Sequence, residues 1–158
     1  MLALMAPGVH AQYTYVTNAD NTLTITGYHG PMFGVVIVPS QINGLPVTSI
    51  GDNSFSPFLL NSGPSSITIP DSVIRIGNGV FEEDTALATV TIGVAVTNIG
   101  FGVFEDCGSL NSITVAPQNP AFSSVNGILF DKNQTSIIHY PPNKSGAYEI
   151  PDTALLLT

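Results

Sequence analysis

Few residues of this 158-residue chain are of a kind that does chemistry, and they are scattered. His10, His29 and His139 are the only imidazoles, and none has a second ligand at metal-binding spacing. His10 falls in a leader-like stretch; His29 and His139 read as surface or turn histidines. Cys107 is the sole cysteine, so neither an internal disulfide nor a cysteine-based zinc site can form. With no basic neighbour to hold a thiolate, it reads as a small buried hydrophobe. Gly-x-Ser-x-Gly, His-Glu-x-x-His and P-loop motifs are absent, and Gly100-Phe101-Gly102 only imitates a dinucleotide loop. Neither an enzyme nor a cofactor is implied.

The acids are better placed. Glu82, Glu83 and Asp84 recur as Glu105 and Asp106, and stacking would bring such pairs within about 5–7 Å. Glu82, Glu83, Glu105 and Asp106 are therefore the nearest approach to a Ca²⁺ site. Lacking a ligand-spaced loop, they read instead as a solvated acidic edge. Phe101 is the other outlier. It stands where neighbouring coils carry Asn53 and Asn78, an outward slot, and reads as folding over the adjacent turn, with a binding anchor as the alternative.

What positions these residues is a 23-residue period. Ile67-Thr68-Ile69 returns as Val90-Thr91-Ile92 and Ile113-Thr114-Val115, and Val80-Phe81-Glu82 as Val103-Phe104-Glu105. A fixed period of this size means stacked supersecondary units, each covering the apolar edge of the next. Within a unit, alternation puts Ile67 and Ile69 inside and the threonines outside. Ser66/Thr68, Thr89/Thr91 and Ser112/Thr114 then form hydroxyl rows, which suit a solvated strand face without any ligand. Gly77 and Gly100 read as tight turns, and Val80-Phe81 as a wedge on a single helical turn. Sustained 3.6 periodicity is missing, so helix should be scarce.

Charge narrows the partners. Three basic residues face eleven acidic ones, for a net charge of −8, which disfavours nucleic acid and anionic membranes. No apolar run approaches the length of a membrane span.

The strand signature Leu87-x-x-Val90-x-Ile92, repeated as Leu110-x-x-Ile113-x-Val115, with Ile69-Pro-Asp-Ser-Val73-x-x-Ile76-Gly77-x-x-Val80-Phe81 and Glu105-Asp-Cys107-x-x-Leu110, resembles the BspA-like leucine-rich repeats of bacterial surface proteins. The resemblance covers about residues 13–153 and departs at Asp84, where the family often has Cys, and at Leu155–Leu157. It implies a leucine-rich-repeat solenoid, β-rich with short parallel strands, and a secreted or surface-attached bacterial protein that binds other macromolecules.

The layout expected is a signal-peptide remnant (1–11), an N-terminal β-hairpin cap (12–34) and a solenoid (35–153). Its coils run at about 35–66, 67–89, 90–112 and 113–149, the last with an inserted hairpin, and an incomplete coil starts at 150. Residues 154–158 read as a truncated or frameshifted end. A non-catalytic extracellular interaction module with a protein or glycan partner fits best, its surface made by Ser66, Thr68, Thr89, Thr91, Ser112, Thr114 and Phe101. A structural spacer in a longer repeat protein, or an accessory domain of a larger secreted enzyme, are the alternatives.

Overall fold

The computed structural model describes residues 12–31, 33–56 and 63–146, with the backbone of one further strand at 155–156. The leader-like stretch, the restart of the repeat near 150 and, apart from that strand, the chain's last residues lie outside the described residues. The strands are β1 (Tyr13–Thr17), β2 (Leu23–Tyr28), β3 (Val35–Ile37), β4 (Gln41–Ile42), β5 (Leu45–Ile50), β6 (Ser66–Ile69), β7 (Arg75–Ile76), β8 (Thr89–Ile92), β9 (Asn98–Ile99), β10 (Ser112–Val115), β11 (Phe122–Val125), β12 (Ile128–Asp131), β13 (Ser136–His139) and β14 (Leu155–Leu156). Among the described residues there is no α-helix. The helical turn expected around Val80-Phe81 is instead a pair of turns in which Glu82 N–H donates to Gly79 O and Asp84 N–H to Phe81 O.

Two sheets run along the solenoid. One, ordered β10-β8-β6-β3, is parallel and in the register of the period, with Ile67 beside Val90 and Val90 beside Ile113. The other is ordered β1-β2-β5-β7-β9. The N-terminal hairpin, β1 against β2, joins it by parallel pairing of β2 with β5. A β4–β5 hairpin turns through Asn43 and Gly44, both at positive φ (53° and 81°), as a tight hairpin turn demands. The insert in the fourth coil is a β11-β12-β13 antiparallel meander rather than a single hairpin. Its Ile128, Phe130 and Ile137 form a small core of their own.

Between the sheets lies one continuous apolar core. Its spine is a column of rings. Tyr28 stacks on Phe55 at 5.0 Å, Phe55 meets Phe81 at 5.4 Å, and Phe81 stacks on Phe104 at 5.8 Å. Successive coils thus contribute one ring each, at the separation aromatic pairs favour.

The repeat glycines serve closeness, not φ. Gly51, Gly77 and Gly100 lie outside the positive-φ set, which corrects the tight-turn reading. A Cβ on Gly77 would stand 2.7 Å from Asp52 N and 2.8 Å from Gly51 C; one on Gly100 would stand 2.5 Å from Gly77 O. Backbone cannot yield as a side chain can. Gly77→Ala should therefore destabilise the chain by about 1–3 kcal/mol, whereas Gly108→Ala, with open space around it, should be neutral or slightly stabilising. Thermal unfolding of the two variants side by side checks this.

Candidate functional site

The β3-β6-β8-β10 face carries the hydroxyl rows. Pairing aligns Ser66, Thr89 and Ser112 in one row and Thr68, Thr91 and Thr114 in the other. Thr91 and Thr114 are exposed and the other four half-buried. Thr89 Oγ1 donates to Ser66 Oγ at 2.8 Å, so part of the first row is bonded to itself. Adjacent rungs lie about 4.8 Å apart, and no rung carries charge.

Sequence reasoning missed how these rows begin. Through β3 pairing with β6, Val35 aligns with Ser66 and Ile37 with Thr68. Val35 is 71% exposed, Ile37 65% and nearby Phe33 80%. The signal was present: Val35-Val36-Ile37-Val38 is unbroken apolar sequence where every later coil alternates. At the far end the insert closes the sheet, since Gly127 O accepts Ile113 N–H and Ser124 Oγ accepts Val115 N–H, both at 2.9 Å.

Phe101 does not join the rows. It follows β9 in the other sheet and is 91% exposed, so it does not fold over the adjacent turn. Its register also differs by one from the sequence reading. Phe101 N–H donates to Asn78 Oδ1 and Asn78 N–H to Asp52 Oδ1, so Asp52, not Asn53, is its first-coil equivalent. The neighbouring slot is a polar amide, which gives a phenyl ring nothing apolar to lie on.

The acidic edge divides. Glu82 is half-buried, Glu83, Glu105 and Asp106 are exposed, and Asp84 is fully buried. Glu83 and Asp106 fill equivalent left-handed turns, at φ 62° and 56°. The Glu105 carboxylate folds back toward its own turn glycine, Gly102. Among the described residues no group of three His, Cys, Asp or Glu side chains gathers around one point. Asp84 is no member of a solvated edge. Its Oδ1 accepts Ala86 N–H and Leu87 N–H at 3.1 Å, Oδ2 is buried without a partner, and Gly63 packs directly against the carboxylate. Burial pushes its pKa up to about 6, against the pull of those two N–H groups.

Cys107 is buried, as its sequence context suggested, and its thiol donates to Phe81 O at 3.0 Å. Burial, with the Asp84 charge added, pushes the thiol up to about 12. His29 is exposed. His139 is not a surface or turn histidine. It ends β13, lies 5.2 Å from Phe104 as the last ring of the aromatic column, and is held below the usual imidazole range by burial. Asn119 is a buried joint. Its Nδ2 donates to Gly93 O and Val96 O, while Oδ1 accepts Ala121 N–H and Phe122 N–H.

The sequence model described as "BspA type Leucine rich repeat region (6 copies)" matches residues 48–149. A leucine-rich repeat protein from Bacteroides ovatus superposes with a TM-score of 0.57 at 28% identity, over 68% of this chain and 29% of that one. A leucine rich cell surface protein from Faecalibacterium prausnitzii gives 0.45 at 19%, over 95% of this chain and 65% of that one. The leucine rich repeat protein of T. pallidum gives 0.45 at 22%, over 68% and 70%. No curated protein matches.

Two outcomes follow from the buried polar groups. Because Asp84 holds its proton more tightly folded than unfolded, its effect favours the folded state below about pH 4 and declines as pH rises toward 6. Asp84→Asn should remove that decline and leave the variant more stable at pH 7 by on the order of 1–3 kcal/mol; denaturation midpoints from pH 4 to 8 measure the difference. Asn119→Ala strands four backbone partners, two of them buried, and should cost about 2–4 kcal/mol, read from the same unfolding curves.

Proposed function

Since this chain belongs to the BspA-type leucine-rich repeat family, we propose that it is a non-catalytic interaction module. It acts outside the cell or on its surface and binds a protein or glycan partner through the β3-β6-β8-β10 face. The observation that carries this reading is the pair of in-register hydroxyl rows, Ser66/Thr89/Ser112 and Thr68/Thr91/Thr114. Such rows offer many weak hydrogen bonds and no charge to desolvate. Val35, Ile37 and Phe33 add an apolar flank to the same end of the sheet. The leader-like first residues and the BspA-like resemblance support the extracellular placement.

A second reading is a spacer within a longer repeat array. It is favoured by the span of the chain, 29% of the length of the Bacteroides ovatus protein.

The wild-type chain, screened against extracellular-matrix proteins and a glycan array, should give a ligand whose affinity falls at least tenfold in Thr91→Glu/Thr114→Glu, a loss of about 1.4 kcal/mol or more. Phe101→Asn, outside the rows, should bind as the wild type does. Equal binding by the double variant would remove the hydroxyl face from the reading.

A further inference from the structure

We infer that the groove between the N-terminal cap and the second sheet is a binding site for a saccharide that bears a carboxylate. The groove has a volume of about 560 Å³. On the cap side it is lined by Asn18, Asp20 and Thr22 of the β1–β2 turn, and on the coil side by Thr48, Ser49 and Arg75. Pairing sets Thr24, Ser49, Arg75 and Asn98 in one row across β2, β5, β7 and β9. Thr48 is the extra residue of a bulge, since Leu23 aligns with Val47 but Thr24 with Ser49. A bulge re-aims a side chain, and here Thr48 reaches the cap.

The hydrogen bonds of this groove decide which ligand groups it accepts. Thr48 Oγ1 donates to Thr22 Oγ1 at 2.9 Å, and Thr22 Oγ1 donates to Asp20 Oδ1 at 2.7 Å. Thr24 Oγ1 donates to Asn18 Oδ1 at 3.1 Å, and Asn18 Nδ2 donates to Thr22 Oγ1 at 2.8 Å. Every threonine hydroxyl hydrogen lining the groove is thus spent. What the Thr24 and Thr48 oxygens still offer is lone pairs. A ligand must donate to them, as sugar hydroxyls do, and the bonds already hold these oxygens in place.

Arg75 makes the opposite demand. It is the sole arginine, and no other Lys or Arg precedes Lys132 in a chain of net charge −8. Its row neighbours in adjoining windings are Ser49 and Asn98, so stacking alone does not require a charge there. Among the described residues its ion pair is with Asp52 at 3.7 Å, longer than a hydrogen bond. Asp52 lies outside the groove lining, and its two oxygens accept Asn78 N–H and Nδ2. The exposed guanidinium therefore keeps its planar fork of donors for a carboxylate. Asp20, on the cap side, repels that carboxylate and so directs it toward Arg75. A uronate or a sialoside satisfies both walls at once; a neutral sugar satisfies only the first.

Amide chemical shifts of the isotope-labelled full chain, titrated with oligogalacturonate and separately with sialyllactose, test this. At least one of the two acids should shift Thr24, Thr48, Ser49 and Arg75, and the pair shows which source of carboxylate is taken. The methyl ester of the oligogalacturonate, its neutral control, should bind at least about tenfold more weakly. Arg75→Gln should lose a similar factor with an unchanged melting curve, and Thr48→Val should also bind more weakly. Thr91→Glu/Thr114→Glu, on the other sheet, should bind like the wild type, so failure here and failure of the hydroxyl face are read separately. An ester that binds as tightly as the acid overturns the inference, and so does full affinity in Arg75→Gln. Silence of both acids at tens of millimolar, or shifts confined to the β3-β6-β8-β10 face, overturns it equally.

Discussion

Successive windings must come within hydrogen-bonding distance on two sheets at once, and the rest of this molecule depends on that closeness. On one side the rungs are Ile67, Val90 and Ile113; on the other, Ile50, Ile76 and Ile99. Any side chain between the backbones at Gly51, Gly77 or Gly100 would hold the second sheet apart. Glycine is used there for its lack of volume. The ring column fills what the two sheets leave between them, with one ring per winding from Tyr28 to Phe104. Side chains from one winding also bond the next. Asp71 Oδ1 accepts Val94 N–H at 2.8 Å, and Asn78 Oδ1 accepts Phe101 N–H at 2.9 Å. The backbone amides that the tight stacking leaves outside the strands are satisfied in this way.

Where the period falters, polar groups enter the core. Asp84 occupies the slot that Cys107 fills one winding later, and both are buried. The thiol suits the place, small and bonded to Phe81 O. The carboxylate suits it less, since only one of its oxygens is satisfied. His139 likewise takes the place of a phenyl ring at the end of the column. It keeps a ring contact, tilted by 56° instead of stacked, but leaves Nε2 buried and unpaired among the described residues. Asn119 is the contrary case: both amide hydrogens and both carbonyl lone pairs are used, and it ties the departing meander to the coil before it. Burial of a polar group is tolerable in proportion to its partners.

A repeating sequence makes visible whatever each residue does with its own equivalents. The strands, their parallel register, the hydroxyl rows and the phenylalanine stack all rest on such self-neighbour relations, and each was legible in the 23-residue spacing. Contacts between non-equivalent parts were not. The burial of Asp84 depends on Gly63, which follows an insertion with no counterpart in later coils. Even so, its equivalence to a cysteine read as buried was a usable signal. His139 lies in the meander, off the period, so nothing in its spacing marks it as the heir of Phe104. Composition suggested that the glycines turn the chain; only the distances between windings give their purpose. The one-residue offset at Phe101 has the same origin, because the first coil is longer and its alignment must be settled by pairing.

The two ends of the hydroxyl-bearing sheet are not alike, and this bears on how it binds. At β10 the meander supplies acceptors to the edge, so growth stops there. At β3 the strand is apolar, and among the described residues the cap meets it through Tyr13, whose Oη donates to Ile37 O. Four strands at about 4.8 Å spacing, each about four residues long, present a face of only a few hundred Å². A stable protein interface covers about 800 Å² per partner, so this face alone would hold a macromolecular partner only weakly.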